Sequence, residues 1–374
     1  MAKKRVLIMT SKLGFGHMSA ANAIAAALDT EHPDVEVTIT NPAQREDSSD
    51  LLKDIHGLYD ESSKREGLYE FLYKLSDTGI AAAATNSAVA VMLRDAVYKT
   101  IEEYQPDVIV VVHEDYLAPL KSIYEMGGFK IPIVTVITDL TTIHRRWFSQ
   151  VSKVTVVPTE QGAKLASDHG LLKSKMRQIG VPVTPAIVQE TRSTAEIRQE
   201  LGWDADKTVA LVVGSKRVSN LVENLHAVNH SGLDVQLALV AGGDDKLYWK
   251  FQQTDWHLPV SIYNYVDNIP AMIKASDLVI SKAGGLIVSE SLAAGKPILI
   301  TDVIEGQETG NANYVIEKGV GDKALNALDV LETLYHWLQD DRRILTIRAE
   351  KARAIGQPRA AFEIAELVLE LADA

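Results

Sequence analysis

Leu278-Val279-Ile280-Ser281-Lys282-Ala283-Gly284-Gly285-Leu286-Ile287-Val288-Ser289-Glu290 is the stretch on which the fold turns. A short buried strand ends, two glycines follow, and a helix begins around residues 288–294. Glycines at such a turn let the backbone approach a ligand, and the helix N-terminus offers free N–H groups to a pyrophosphate. A plain tight strand-helix turn has the same two glycines. Glu290 in the opening turns of the helix adds a carboxylate able to accept two hydrogen bonds from vicinal ribose hydroxyls. A negative charge there also compensates the helix dipole.

The same strand-helix rhythm extends on both sides. Residues 209–213, 235–240 and 298–300 read as further strands and 197–201 as a short helix, so a doubly wound domain is expected from about residue 186 to 374. Upstream, Val181-Pro182-Val183-Thr184-Pro185 is a stiff connector that lacks two backbone donors. Before it, residues 6–9, 35–39, 108–112, 133–137 and 154–157 read as strands of a first domain, 1–185. Residues 19–29 follow as helix, and 48–104 look mainly helical, with Leu68, Phe71, Leu72 and Leu75 at helical spacing. The amphipathic last helix, about 358–374, is expected to pack back across the first domain. The fold class is thus α/β, with two Rossmann-like doubly wound domains facing across a cleft at the carboxyl ends of their strands.

Composition bounds the chemistry. The 374 residues exceed one ordinary core. A net charge of −12 disfavours nucleic acid as a partner. The absence of cysteine excludes thiolate metal sites and thiol nucleophiles. No apolar run reaches ~20 residues, so no spanning helix is expected, and no signal-peptide core is read near the first residues.

Two loops carry candidate chemistry. Gly14-Phe15-Gly16-His17 follows the first strand and offers a glycine turn and an imidazole. His17 can act as a base near its unperturbed pKa of ~6.5, cap the following helix, or donate to a phosphate. Glu114, after the strand 108–112, can orient His17 or take the proton itself. In the second half, Gly306-Gln307-Glu308-Thr309-Gly310-Asn311 is too polar for a core and suits a hexose with several hydroxyls. Asp244-Asp245 reads as solvated surface, and no metal site is called.

These motifs together resemble the donor site of the monogalactosyldiacylglycerol synthase and processive diacylglycerol glucosyltransferase group, within glycosyltransferase family 28. Gly67-Leu68-Tyr69-Glu70-Phe71-Leu72-Tyr73, Thr138-Asp139-Leu140 and Val157-Pro158-Thr159-Glu160 extend the resemblance over most of the chain. It implies a GT-B fold, a UDP-galactose or UDP-glucose donor, inversion at the anomeric carbon, no cofactor, and diacylglycerol as a membrane-held acceptor. Carried onto this sequence, it gives Gly16, Gly284 and Gly285 to the donor phosphates or their loops, Glu290 to the ribose, and Gln307, Glu308 and Asn311 to the sugar. Gly214-Ser215-Lys216 falls at a glycine-rich turn of the group, with Val213 replacing a further glycine, and Val266 in the segment that reads uracil. A UDP-sugar epimerase, a family 28 transferase with another acceptor, and a non-catalytic UDP-sugar sensor are the alternatives. The expected location is cytoplasmic, peripheral on the inner face of the cell membrane. Residues 58–98 and Trp147-Phe148 beside Arg145-Arg146 are the expected contacts with an anionic lipid surface.

Overall fold

A computed structural model describes residues 3–11, 15–45, 79–216, 220–306 and 308–373. The chain forms two compact units, one of Met1–Pro185 with Glu305–Gln307 and Arg359–Ala374, the other of Ala186–Ile304 with Glu308–Pro358.

The first unit carries a six-stranded sheet of β1 (Arg5–Met9), β2 (Glu36–Thr40), β3 (Val108–Val111), β4 (Ile133–Val136), β5 (Val154–Val157) and β6 (Met176–Gln178), in the order β2-β1-β3-β4-β5-β6. Every pairing is parallel. β3, β4 and β5 are buried throughout, as continuous Val/Ile runs covered on both faces should be. Helix α1 (Phe15–Glu31) buries Ala20, Ala21, Ala23, Ile24, Ala27 and Leu28. Its small residues admit neighbours on two sides, the sheet and the last helix. That last helix, Ala360–Ala372, contributes Phe362, Ile364, Ala365 and Val368 to the same core as Val6 and Ile8. Arg359 Nη2 lies 3.3 Å from Glu31 Oε1 at its start, and Lys4 pairs with Asp373 at its end. On the opposite face, helix α2 (Gly79–Tyr104) packs through Leu93, Val97 and Ile101.

The second unit repeats the layers with β7 (Thr208–Val213), β8 (Val235–Val240), β9 (Val260–Tyr263), β10 (Leu278–Lys282), β11 (Ile298–Asp302) and β12 (Gly321–Lys323). Its order is β12-β11-β10-β7-β8-β9, again all parallel. Counted from β7, this is the doubly wound dinucleotide-fold order. Edge strands β6, β9 and β12 are absent from the sequence reading for a physical reason. Gly321-Asp322-Lys323 has no apolar run; it is a strand because it pairs with residues 298–300. A Cβ at Gly321 would fall 1.9 Å from the Ile298 carbonyl oxygen.

In each sheet the chain reverses its direction of advance once. The reversal lies between β1 and β3 in the first and between β7 and β10 in the second. Loops leaving the carboxyl ends of such strand pairs splay apart, which makes these points the natural ligand crevices of open α/β sheets.

Candidate active site

At the β1/β3 reversal, His17 opens α1 and His113-Glu114 follow β3. The His17 and His113 ring centres are 4.6 Å apart. His17 Nδ1 lies 2.9 Å from the Val112 carbonyl oxygen, which can only accept, so this nitrogen carries the proton. Thr138 Oγ1 lies 3.1 Å from the same atom. Nε2 is therefore the basic nitrogen of the neutral ring. Burial, then the neighbouring His113, lowers the His17 pKa to about 4 against the opposing pull of Glu114 and Asp115. The ring stays neutral at ordinary pH.

Glu114 lies beside this pair, with Oε2 3.7 Å from His113 Nδ1. Burial pushes its pKa up, but His113, Arg146 and His17 outweigh that, and the carboxyl stays below its usual range. Among the described residues, the hydrogen bonds that orient the imidazole come from Val112 and Thr138, and Glu114 favours the charged ring through its own charge. His113 caps the 3-10 turn Glu114–Tyr116 by accepting the Asp115 amide at 3.3 Å. Arg146 pairs with Asp115 and donates to Asn86 at 2.9 Å.

His17, His113 and Glu114 each bring one possible ligand atom within 4.8 Å of the others. The hydrogen bonds suit proton handling better than a cation. His113 Nδ1 already accepts an amide, which leaves its hydrogen on Nε2. Among the described residues, the other such group is Glu31, His32 and Glu366, on the helix pair away from the β1/β3 reversal.

Trp147 corrects the sequence reading. It is 1% exposed, sits in the core with Tyr116 and Leu117, and its ring lies 6.1 Å from that of His17. Phe148 is half-buried and stacks on His169 at 5.4 Å. Trp147 thus lies behind the imidazole and presents nothing to a lipid surface, while Arg145, Arg146 and Phe148 keep partial exposure. The apolar weight of the tryptophan and the carboxylate partner of Arg146 explain this. Of residues 58–98, those from 58 to 78 lie outside the described residues, as do Gly14 and Gln307.

At the β7/β10 reversal, Gly214 and Ser215 follow β7, and Gly284-Gly285 follow β10. Ser281 Oγ donates to the Val213 carbonyl at 2.9 Å and ties the two strand ends together. Helix α3 (Gly285–Ala293) starts at Gly284, and among the described residues no side chain caps it. A further glycine pair was missed: Gly242-Gly243 after β8, with φ of 66° and 77°. A Cβ at Gly242 would lie 2.6 Å from the Gly214 oxygen, so the loops after β7 and β8 pack backbone to backbone. Ala241-Gly242-Gly243-Asp244 directly after an apolar run was the available signal. Asp244 caps the next helix and Asp245 accepts from Asn264, so the acidic pair is local structure.

Glu290 stands in the second turn of α3, half-buried, and burial raises its pKa to about 7. Val266 is half-buried in the loop after β9, next to an exposed Tyr265. Glu308 and Asn311 are buried. Glu308 pairs with Lys282 and accepts the Ile304 amide at 3.1 Å. Asn311 Nδ2 donates to the Ala283 carbonyl at 2.9 Å, while its Oδ1 is buried without a partner among the described residues. Gly16 has no heavy atom of the described residues within 4 Å of a would-be Cβ.

Comparison with known proteins adds identity to this geometry. Residues 17–183 match the monogalactosyldiacylglycerol (MGDG) synthase family, and residues 208–361 match the glycosyltransferase family 28 C-terminal domain. The chloroplastic monogalactosyldiacylglycerol synthase of Spinacia oleracea is 30% identical, over 98% of this chain and 72% of its own length. Monogalactosyldiacylglycerol synthase 1 of Arabidopsis thaliana is 28% identical, over 98% and 71%. Among solved structures, Acinetobacter baumannii MurG aligns with a TM-score of 0.62 at 17% identity, over 98% of this chain and 99% of its own. An S. aureus MnaA-UDP structure gives 0.62 at 15% identity, over 98% and 97%. These structural likenesses carry the fold, of GT-B type, and nothing finer.

Proposed function

The chain belongs to the monogalactosyldiacylglycerol synthase family, and from that premise we propose that it is an inverting glycosyltransferase moving a hexose from a UDP-sugar to diacylglycerol. The relatives' names put galactose first among the hexoses. The observation that carries the reading is His17: a half-buried imidazole whose Nδ1–H is fixed by Val112 and whose Nε2 is free of its proton.

In the transfer, the acceptor hydroxyl oxygen attacks the anomeric carbon and its proton passes to His17 Nε2. The C1–O bond to the diphosphate breaks, and the electron pair stays on the phosphate oxygen. Glu114 and Asp115 stabilise the imidazolium as it forms, since both favour the charged ring. Gly284, Gly285 and the open N-terminus of α3 meet the diphosphate, and Glu290 takes the ribose hydroxyls. No metal or organic cofactor is part of this scheme.

No described helix is long and apolar enough to cross a membrane. A lipid acceptor then calls for peripheral attachment, which we place on the inner face of the cell membrane, with anionic lipid as the attracting surface. Added salt should weaken sedimentation with anionic liposomes and leave neutral ones unaffected.

The deciding experiment offers UDP-galactose, UDP-glucose and other UDP-sugars with diacylglycerol in mixed micelles and identifies the products. Glycosyldiacylglycerol of inverted configuration is expected. Interconversion of the UDP-sugar without acceptor would point to an epimerase, and equal use of a water-soluble acceptor would remove the lipid reading.

A further inference from the structure

We propose that Lys282 is the cation that holds the donor diphosphate, and that Glu308 keeps it poised for that task. This rests on the donor-site reading above. Lys282 is the last residue of β10, at the switch point, where the pairing with β11 slips by one residue. The slip lets the lysine side chain lie over the glycine turn instead of along the sheet. Its ammonium sits where a Cβ on Gly284 would be only 2.8 Å away, and Glu308 Oε1 is 3.7 Å from the same point. The Lys282 side chain is 19% exposed and that of Glu308 6%.

Two positive features therefore meet at one turn: the ammonium and the uncapped N-terminus of α3. Among the described residues, the one anionic group paired with the ammonium is Glu308. Glu308 is held from behind, since its other oxygen accepts the Ile304 amide. A purely structural ion pair could have been placed anywhere in the core; this one abuts the turn where the diphosphate must lie. When the C1–O bond breaks, the electron pair left on the phosphate oxygen adds negative charge at this point. Lys282 offers a charge-assisted hydrogen bond to it, and the acceptor proton has gone to His17.

The test measures UDP and uridine affinity by calorimetry for wild type, Lys282→Met, Glu308→Gln and the double variant Lys282→Met/Glu308→Leu, with thermal melting alongside. Lys282→Met should weaken UDP about 10- to 100-fold, the loss of a charged hydrogen bond, and leave uridine unchanged. Glu308→Gln should bind UDP at least as tightly as wild type, because the lysine is released. The double variant removes the buried unpaired carboxylate that could unfold the single one, and should still bind UDP weakly. Equal UDP affinity in wild type and both lysine variants overturns the proposal while leaving the donor site standing. So does equal loss of UDP and uridine affinity. Failure of wild type to bind UDP would instead sink the donor-site reading itself.

Discussion

The two strand reversals are topologically alike and chemically opposite. At β1/β3 the crevice is built from side chains: two imidazoles, a carboxylate held ionised, and a tryptophan packed beneath. At β7/β10 and the neighbouring β8 end it is built mainly from backbone: Gly214, Gly242, Gly284 and the bare start of α3. Titratable groups crowded in a low-dielectric place shift one another's pKa values, which is what proton transfer needs. Close backbone and free amides hold an anion without titrating, which is what donor binding needs. Under the proposed function, the same fold would separate reaction from recognition by changing which atoms line the switch point.

The largest expected effect breaks that division on the first side. His17→Ala should lower transfer by ~10²–10⁴ and leave UDP affinity unchanged. Turnover is followed with labelled donor and binding by calorimetry. If UDP affinity falls in step with turnover, the first reversal also binds the donor and the separation is wrong.

A second, intermediate effect probes the exception on the other side. Among the described residues, Glu290 is the one strongly shifted carboxyl near the second reversal, raised to about 7 by burial. A raised carboxyl pKa means the group is protonated below that value, and an ionised carboxylate is the better acceptor for ribose hydroxyls. UDP affinity should therefore rise as pH increases through about 7 and then level off. Glu290→Gln should remove that pH dependence and weaken UDP about 10-fold, in line with one charged hydrogen bond. His17, with its pKa near 4, should leave no limb between pH 5 and 8 in turnover at saturating donor. A pH-independent UDP affinity in wild type would show Glu290 to be a buried helix residue only. The same linkage works on stability: ionising Glu290 in the folded state opposes folding as pH rises from the usual carboxyl value toward 7, so Glu290→Gln should gain stability relative to wild type above that pH.

How far the sequence reveals this division depends on the kind of signal. Buried parallel strands such as residues 108–111 and 235–240 announce themselves as apolar runs. The glycine turns do so by composition, and His17 by its place after β1. What escapes is anything set by pairing or by reach. β12 exists only through its partner, and β9 is half-buried along its whole length. His113 and Thr138 are brought to His17 by the sheet from 96 and 121 residues away in sequence. Trp147 beside two arginines reads as an amphipathic surface, yet Asp115 and Asn86 draw Arg146 inward and the indole fills the core. Periodicity records exposure along one element and says nothing of a loop that folds back over a strand end.

Thr138 gives the smallest and sharpest test of the comparison, because it acts only through another side chain. Its hydroxyl lies 3.1 Å from His17 Nδ1, which already has the Val112 carbonyl at 2.9 Å. Thr138→Val keeps the shape and removes one of two partners. The tautomer should persist, since the carbonyl can only accept, but the ring should be less firmly aimed. Losing one neutral hydrogen bond of about 1 kcal/mol corresponds to roughly a fivefold fall in kcat. UDP affinity and the donor-binding pH dependence should not move, for those belong to the other reversal. Thr138→Ser should restore the rate. If Thr138→Val lowers UDP affinity while kcat holds, the residue serves the donor, and the line drawn between the two crevices has been put in the wrong place.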